Sequence, residues 1–243
     1  MNNSLAVEEH LVSLVAAKPP EFEQYLTLRH QIDQARRRTG LAVVAVTSAT
    51  MGDGKTTTSI NLAGALAQNR ASKVLLIDAD LRSPSVASRL GLEKMNELPG
   101  LADSLADSSI PLAQIARRPP EFRFSLIAAG RETSMSPGEL VQSTQFEELM
   151  KQAREQFDYV VVDTTPLIPV SDARVIQQFV DGVVMVVAAN KTPKRLVGEA
   201  LEFLIPSKVL GIVFNSDDRP LKEYYSYYSS RPRRSPAPAL SAR

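Results

Sequence analysis

Residues 48–63 read SATMGDGKTTTSINLA. Gly52 and Gly54 flank Asp53, with Met51 before them and Lys55, Thr56 and Thr57 directly after. An apolar run precedes this stretch and apolar helical residues follow it. Glycines at those two places let successive backbone N–H groups turn inward on an anion. The N-terminus of the helix that follows adds the positive end of its dipole. Lys55 contributes a mobile ammonium and Thr56 a hydroxyl suited to a hard divalent cation. Together these are the groups that a polyphosphate and its counter-ion require. The order from Ala49 to Thr56 fits the P-loop pattern G-x-x-x-x-G-K-[ST] except at its first position, where alanine replaces glycine. The alternative is a glycine-rich turn that carries Lys-Thr by coincidence.

Three aspartates add to the loop. "VLLIDADLRSP" places Asp78 and Asp80 two residues apart at the end of an apolar run, with Arg82 close behind. "YVVVDTTP" places Asp163 after three valines. Ligands of open α/β sheets bind at the carboxyl ends of strands, and an aspartate closing an apolar strand is the metal-side carboxylate of a P-loop protein. Each aspartate alone could be a helix cap or a turn residue. Three carboxylates beside one triphosphate would repel it unless Mg²⁺ stood among them, so charge alone argues for metal dependence.

These residues need strands and helices to position them. Near-continuous apolar runs at 41–47, 73–78, 124–129, 159–163, 182–189 and 208–214 read as strands covered on both faces. Residues 21–38 read as a polar helix. Thr144–Phe157 reads as an amphipathic helix with a capping box formed by Thr144 and Glu147. The alternation predicts a doubly wound α/β fold, a mostly parallel sheet flanked by helices. The domain is expected over 21–216, after a loosely held lead-in at 1–20 and before a flexible polar tail at 217–243.

Composition excludes several classes. The chain has 243 residues, no cysteine and a net charge of +1. Disulfides, thiolate metal sites and a cysteine nucleophile are ruled out, and no broad basic field calls for nucleic acid or an acidic membrane. No apolar run approaches the length of a membrane span. Leu11–Ala17 lacks the positive flank of a secretory signal, so a membrane role is expected to come through a partner.

The loop SATMGDGKTT, the run from Leu75 to Arg82 of form apolar-D-x-D-x-R, and the run Val160–Pro166 of form apolar-D-x-x-P together resemble the bacterial tyrosine kinases of capsule and exopolysaccharide systems. "PGLADSL" (99–105) and "SPGELVQS" (136–143) are similar to stretches of that family, and the likeness covers residues 21–228. The related MinD/ParA ATPases carry a second lysine early in the loop, where this chain has Thr47–Met51 without one. "EYYSYYSS" clusters Tyr224, Tyr225, Tyr227 and Tyr228, four of the six tyrosines. A polar tail can present phenols to an active site as a core cannot.

The resemblance implies an ATP- and Mg²⁺-dependent protein-tyrosine autokinase. Lys55, Asp78, Asp80 and Asp163 would be catalytic, with Thr56, Asp78 and Asp163 at the metal. Met51, Gly52, Asp53, Gly54, Lys55, Thr56 and Thr57 would bind nucleotide, joined by Arg82, which could instead pair with an aspartate, and by Asn215 at the base. The four tail tyrosines would be phosphorylated. Glu23 and Arg29 match the family's E-x-x-R-x-x-R contact helix, with Leu26 at the middle position. The implied partners are a membrane adaptor of polysaccharide co-polymerase type, further copies in a ring, and a protein tyrosine phosphatase, but no nucleic acid. The implied location is cytoplasmic, at the inner face of the membrane. Two other readings use the same loop: a MinD/ParA-like ATPase switch, and a nucleotide-binding regulatory module that transfers nothing.

Overall fold

The structure, a computed structural model, describes residues 8–15 and 19–217. Helix α1 (Phe22–Thr39) leads into strand β1 (Val43–Ser48), then α2 (Lys55–Leu66) and β2 (Val74–Asp78). Short helices α3 (Val86–Arg89), α4 (Leu101–Ala106) and α5 (Leu112–Ile115) precede β3 (Ser125–Ile127). Helices α6 (Pro137–Val141) and α7 (Thr144–Gln156) precede β4 (Tyr159–Asp163), and α8 (Asp172–Ile176) precedes β5 (Gly182–Ala188). Helix α9 (Lys194–Glu202) and β6 (Val209–Asn215) complete the described chain.

The strands form one six-stranded sheet in the order β3-β2-β4-β1-β5-β6, and each pairing is parallel. Both faces are covered, which is why the strands read as unbroken apolar runs. Val44, Val46, Leu76, Val161 and Val184 point toward α1 and α2. Val43, Ala45, Leu75, Val162 and Met185 point toward α4 to α9. The doubly wound expectation holds, and each of the six predicted runs overlaps a strand, with β1 and β6 ending one residue later than predicted.

Two local expectations change. The N-cap of α7 is Ser143, whose hydroxyl accepts from the Phe146 N–H; Thr144 is already helical, so the Thr144–Glu147 capping box is not formed. A hydroxyl stands at both positions, and the one with extended backbone takes the cap. The box forms instead at Ser136 and Glu139, within "SPGELVQS". Of the lead-in, residues 8–15 pack on the domain. Leu11 is fully buried, the Ser13 N–H donates to Asn61 Oδ1 at 2.9 Å, and Asn61 Nδ2 donates to the His10 carbonyl. This segment and α1 close the outer side of α2, which accounts for a helix buried nearly all round.

Candidate active site

Strand order builds the site. β2 and β4 are neighbours, in a register that sets Asp78 directly opposite Asp163. β4 also pairs with β1, so the loop leaving β1 comes down beside both carboxylates. The loop turns as its glycines predict: φ is +83° at Gly52 and +98° at Gly54. Gly54 has a second constraint. A Cβ there would stand 1.9 Å from Asn215 Nδ2, so only glycine lets β6 brace the loop. That amide donates to the Asp53 carbonyl at 3.0 Å.

Five predicted residues, Lys55, Thr56, Asp78, Asp80 and Asp163, converge at the start of α2. Lys55 Nζ lies 2.7 Å from Asp80 Oδ2, with the lysine side chain only 13% exposed. The Thr56 hydroxyl donates to Asp163 Oδ2 at 2.7 Å. Asp78 Oδ2 accepts from the Ser85 and Val86 N–H groups, while its Oδ1 is buried with no hydrogen-bond partner among the described residues. Burial opposes the charged form of Lys55, but the charges of Asp163 and Asp80 outweigh it and hold its pKa above the ordinary value. Burial, with the Asp163 charge alongside, pushes the Asp78 carboxyl up to about 8, and burial raises Asp163 as well.

These acids are short of positive charge. Lys55 is the one cation among the described residues that pairs with any of the three, and the orphaned Asp78 oxygen has nothing to bind. A divalent cation fits that deficit, with Thr56, Asp78 and Asp163 as the groups to hold it. Among the described residues no three acidic or histidine side chains close around an ion unaided, so phosphate oxygens or water must complete any such shell.

Other predicted residues take different places. Met51 is exposed at the lip of the loop. The Asp53 side chain, 2% exposed, turns away from the phosphate position. It accepts from the Thr50 N–H, the Thr50 hydroxyl and the Thr192 hydroxyl. Any contact of Asp53 with phosphate is therefore through its backbone. Arg82 forms a two-bonded pair with buried Asp172, at 2.6 and 3.0 Å, the second of the two roles the sequence allowed it. Thr57 lines the cleft. Tyr224, Tyr225, Tyr227 and Tyr228 lie outside the described residues.

Sequence reasoning missed Ser59 and Thr192. Ser59 donates to Asp163 Oδ1 at 2.8 Å and so holds the oxygen that Thr56 leaves. A hydroxyl one helical turn beyond Lys55, in an otherwise buried helix, was its only sequence signal. Thr192 lies in the turn after β5, and nothing local marks it. Replacing Thr192 by valine keeps the shape and removes one donor from a buried carboxylate. The lost charged hydrogen bond is expected to lower the melting temperature by a few degrees and, through the loosened loop, to weaken nucleotide binding roughly tenfold. Titration calorimetry of T192V checks this, and parental affinity would remove Thr192 from the loop's support.

The site opens into a cleft of about 1650 Å³ lined by Gly52, Gly54, Lys55, Thr56 and Asp80, and running along α1 past Gln24, Tyr25 and Leu28. A small-molecule site occupies roughly 300–1,000 Å³, so the cleft has room for a nucleotide and a second group. A glycine-turned phosphate loop opening a helix on a parallel sheet, with carboxylates at the ends of the adjoining strands, defines a P-loop nucleoside-triphosphate protein.

Comparison with known proteins narrows the class. A family model described as an AAA domain matches residues 41–193. The tyrosine-protein kinase YwqD of Bacillus subtilis is 33% identical over 232 residues, 95% of this chain and 95% of its own. The succinoglycan biosynthesis transport protein ExoP of Rhizobium meliloti is 33% identical over 202 residues, covering 81% of this chain but 25% of its own length. The kinase domain of the Escherichia coli tyrosine kinase ETK superposes with a TM-score of 0.78 at 27% identity, covering 86% of this chain and 81% of that one. The chain belongs to the bacterial tyrosine-protein kinases.

Proposed function

We propose that this kinase transfers the γ-phosphoryl group of ATP, with Mg²⁺, to Tyr224, Tyr225, Tyr227 and Tyr228 of its own kind of chain, and thereby regulates exopolysaccharide or capsule synthesis or export. The observation that carries the reading is the Lys55–Asp80 pair beside Thr56 and Asp163, at the mouth of a cleft larger than a nucleotide needs.

The loop amides and the Lys55 ammonium meet the phosphate oxygens and stabilise charge that spreads over the γ-phosphoryl group. Engaging them loosens Lys55 from Asp80. The freed carboxylate then orients the incoming phenol and takes its proton, help that a hydroxyl of pKa about 10 requires at neutral pH. Thr56, Asp78 and Asp163 would hold the divalent cation, which would supply the positive charge that lets a triphosphate rest among the acids. On this reading Asn215 would contact the base, although its amide already donates to the Asp53 carbonyl.

Among the described residues no helix is long and apolar enough to cross a membrane. The stretch of ExoP like this chain is a quarter of a longer transport protein, which supports a separate membrane adaptor of polysaccharide co-polymerase type here and a cytoplasmic site at the inner face of the membrane. Transfer between copies in a ring, reversed by a tyrosine phosphatase, completes the reading. Glu23 of the contact helix is exposed, whereas Arg29 is held within the chain by Asp33 and the Ala65 carbonyl. Leu26 packs among Val12, Phe22 and Ala65.

The test is incubation of the purified chain with Mg-ATP, followed by phosphotyrosine blotting and phosphate-release measurement, beside a variant with the four tail tyrosines changed to phenylalanine. Labelling that disappears in the variant is expected. Labelling that persists would place the acceptors elsewhere, and phosphate release without labelling would favour the ATPase switch.

A further inference from the structure

The net charge of +1 averages over two unlike ends of the sheet. The carboxyl ends of the strands gather Asp78, Asp80 and Asp163. The opposite end is basic. The last turn of α1 carries Arg37 and Arg38, and the turns leading into β2 and β3 carry Arg70, Lys73, Arg118 and Arg123, all exposed. None of these six side chains forms an ion pair or a hydrogen bond among the described residues. Sheet register places them along one edge. Leu75 pairs with Ser125, which sets Lys73 level with Arg123, and Val74 pairs with Tyr159, which sets Lys73 beside Asp158. Asp158 in turn holds Arg36 at the end of α1. The turns into β3, β4 and β5 contribute three carboxylates at this end, Glu121, Asp158 and Asp181, the last held by Arg154 and by the Ala42 and Val43 N–H groups. Asp158 is taken up by Arg36 and the Lys73 N–H, which leaves Glu121 unpaired.

We propose that this basic edge docks on anionic phospholipid headgroups, with the nucleotide cleft and the start of the tail facing away from the bilayer. The six cations stand on three separate turns spread over four strands, roughly 14 Å at the usual strand spacing. They do not converge on a point, as they would for one discrete phosphate ligand, but match an array of anions. Their number lies in the range of about 4–8 clustered Lys/Arg that retain a protein at an anionic leaflet. A single-stranded nucleic acid would need stacking surfaces, and the aromatic residues of these turns, Phe122 and Phe124, are buried against each other. Basic side chains at helix C-termini also answer the helix dipole, which accounts for Arg37 and Arg38 but not for the four cations on the other turns. The proposal goes beyond tyrosine phosphorylation and is read without it.

The experiment is co-sedimentation of the full chain with phosphatidylglycerol–phosphatidylcholine vesicles and with phosphatidylcholine vesicles alone. Binding to the first, absent for the second and lost at roughly 0.5 M salt, is expected. The variant R37Q/R38Q/K73Q/R123Q should bind at least roughly tenfold more weakly while keeping parental nucleotide affinity, which shows that it is folded. The variant R231S/R233S/R234S, altered only in the basic tail, should bind as the parent does. The proposal is overturned if the parent ignores phosphatidylglycerol, if the four-glutamine variant binds undiminished, or if the tail variant alone abolishes binding. Salt-sensitive binding to duplex DNA without vesicle binding would also overturn it, in favour of a nucleic-acid surface.

Discussion

Lys55→Met is expected to lower phosphotyrosine labelling by about a thousandfold or more, the scale of losing a preorganised charge at a transferring group. Methionine keeps the length of the side chain and removes its ammonium. In the parent that ammonium lies 2.7 Å from Asp80 and is the sole cation among the described residues paired with the three acids. Without it the carboxylates face the γ-phosphoryl group across a shielded cleft, where charges interact more strongly than in water. The same repulsion should weaken ATP binding by roughly tenfold, a smaller loss because the loop amides and the α2 N-terminus remain. Radiolabel transfer and titration calorimetry on one preparation separate the two effects. K55M that labels within tenfold of the parent would show that the ammonium does not serve the transition state.

Gly100→Ala should be strongly destabilising, because the added methyl group meets only backbone. Gly100 opens α4 and lies against the chain that leaves β3. A Cβ there would stand 2.5 Å from the Ala128 carbonyl oxygen and 2.5 Å from the N and Cα of Gly130. All three are backbone atoms, so no side chain can swing aside. Two backbone hydrogen bonds, Leu101 N–H to Ala128 and Ala102 N–H to Ala129, hold the strands of chain together. Asp103 adds to this by accepting from the Gly100 N–H, the Arg131 N–H and the Arg131 guanidinium. Overpacking of this kind costs about 3 kcal/mol, or about 10 °C of melting temperature for a domain of this size. Gly198→Ala is the control: it lies in α9 with nothing within 4 Å and should not destabilise. Equal melting curves for G100A and G198A would refute the packing argument.

The stretch "PGLADSL" therefore has a structural purpose, as a clasp between α4 and the end of β3. Sequence could show that it was unusual, but not what it held, because its partners lie some thirty residues away. The same division runs through the rest of the chain. Strands could be read because burial on both faces leaves an unbroken apolar run. The phosphate loop could be read because its chemistry is contiguous, from Gly52 to Thr56. Strand order could not be read, and with it went the most useful fact about the acids, that Asp78 and Asp163 face each other across paired strands. Asp172 as the partner of Arg82 and Thr192 as a donor to Asp53 are contacts of long sequence separation between common surface residue types. Ser143 and Thr144 were interchangeable by type, and only backbone conformation separated cap from helix.

Strand β6 ends against the phosphate loop, with Asn215 beside Gly54. If Tyr224, Tyr225, Tyr227 and Tyr228 accept phosphate as proposed, chain length from this point limits how far they can reach. Tyr224 is seven residues beyond Asp217 in sequence, a fully extended reach of about 25 Å, and Tyr228 extends this to about 40 Å. The proposed exchange between copies would thus set a geometric demand on assembly: the mouth of one cleft would have to come within that radius of the anchor point on the next.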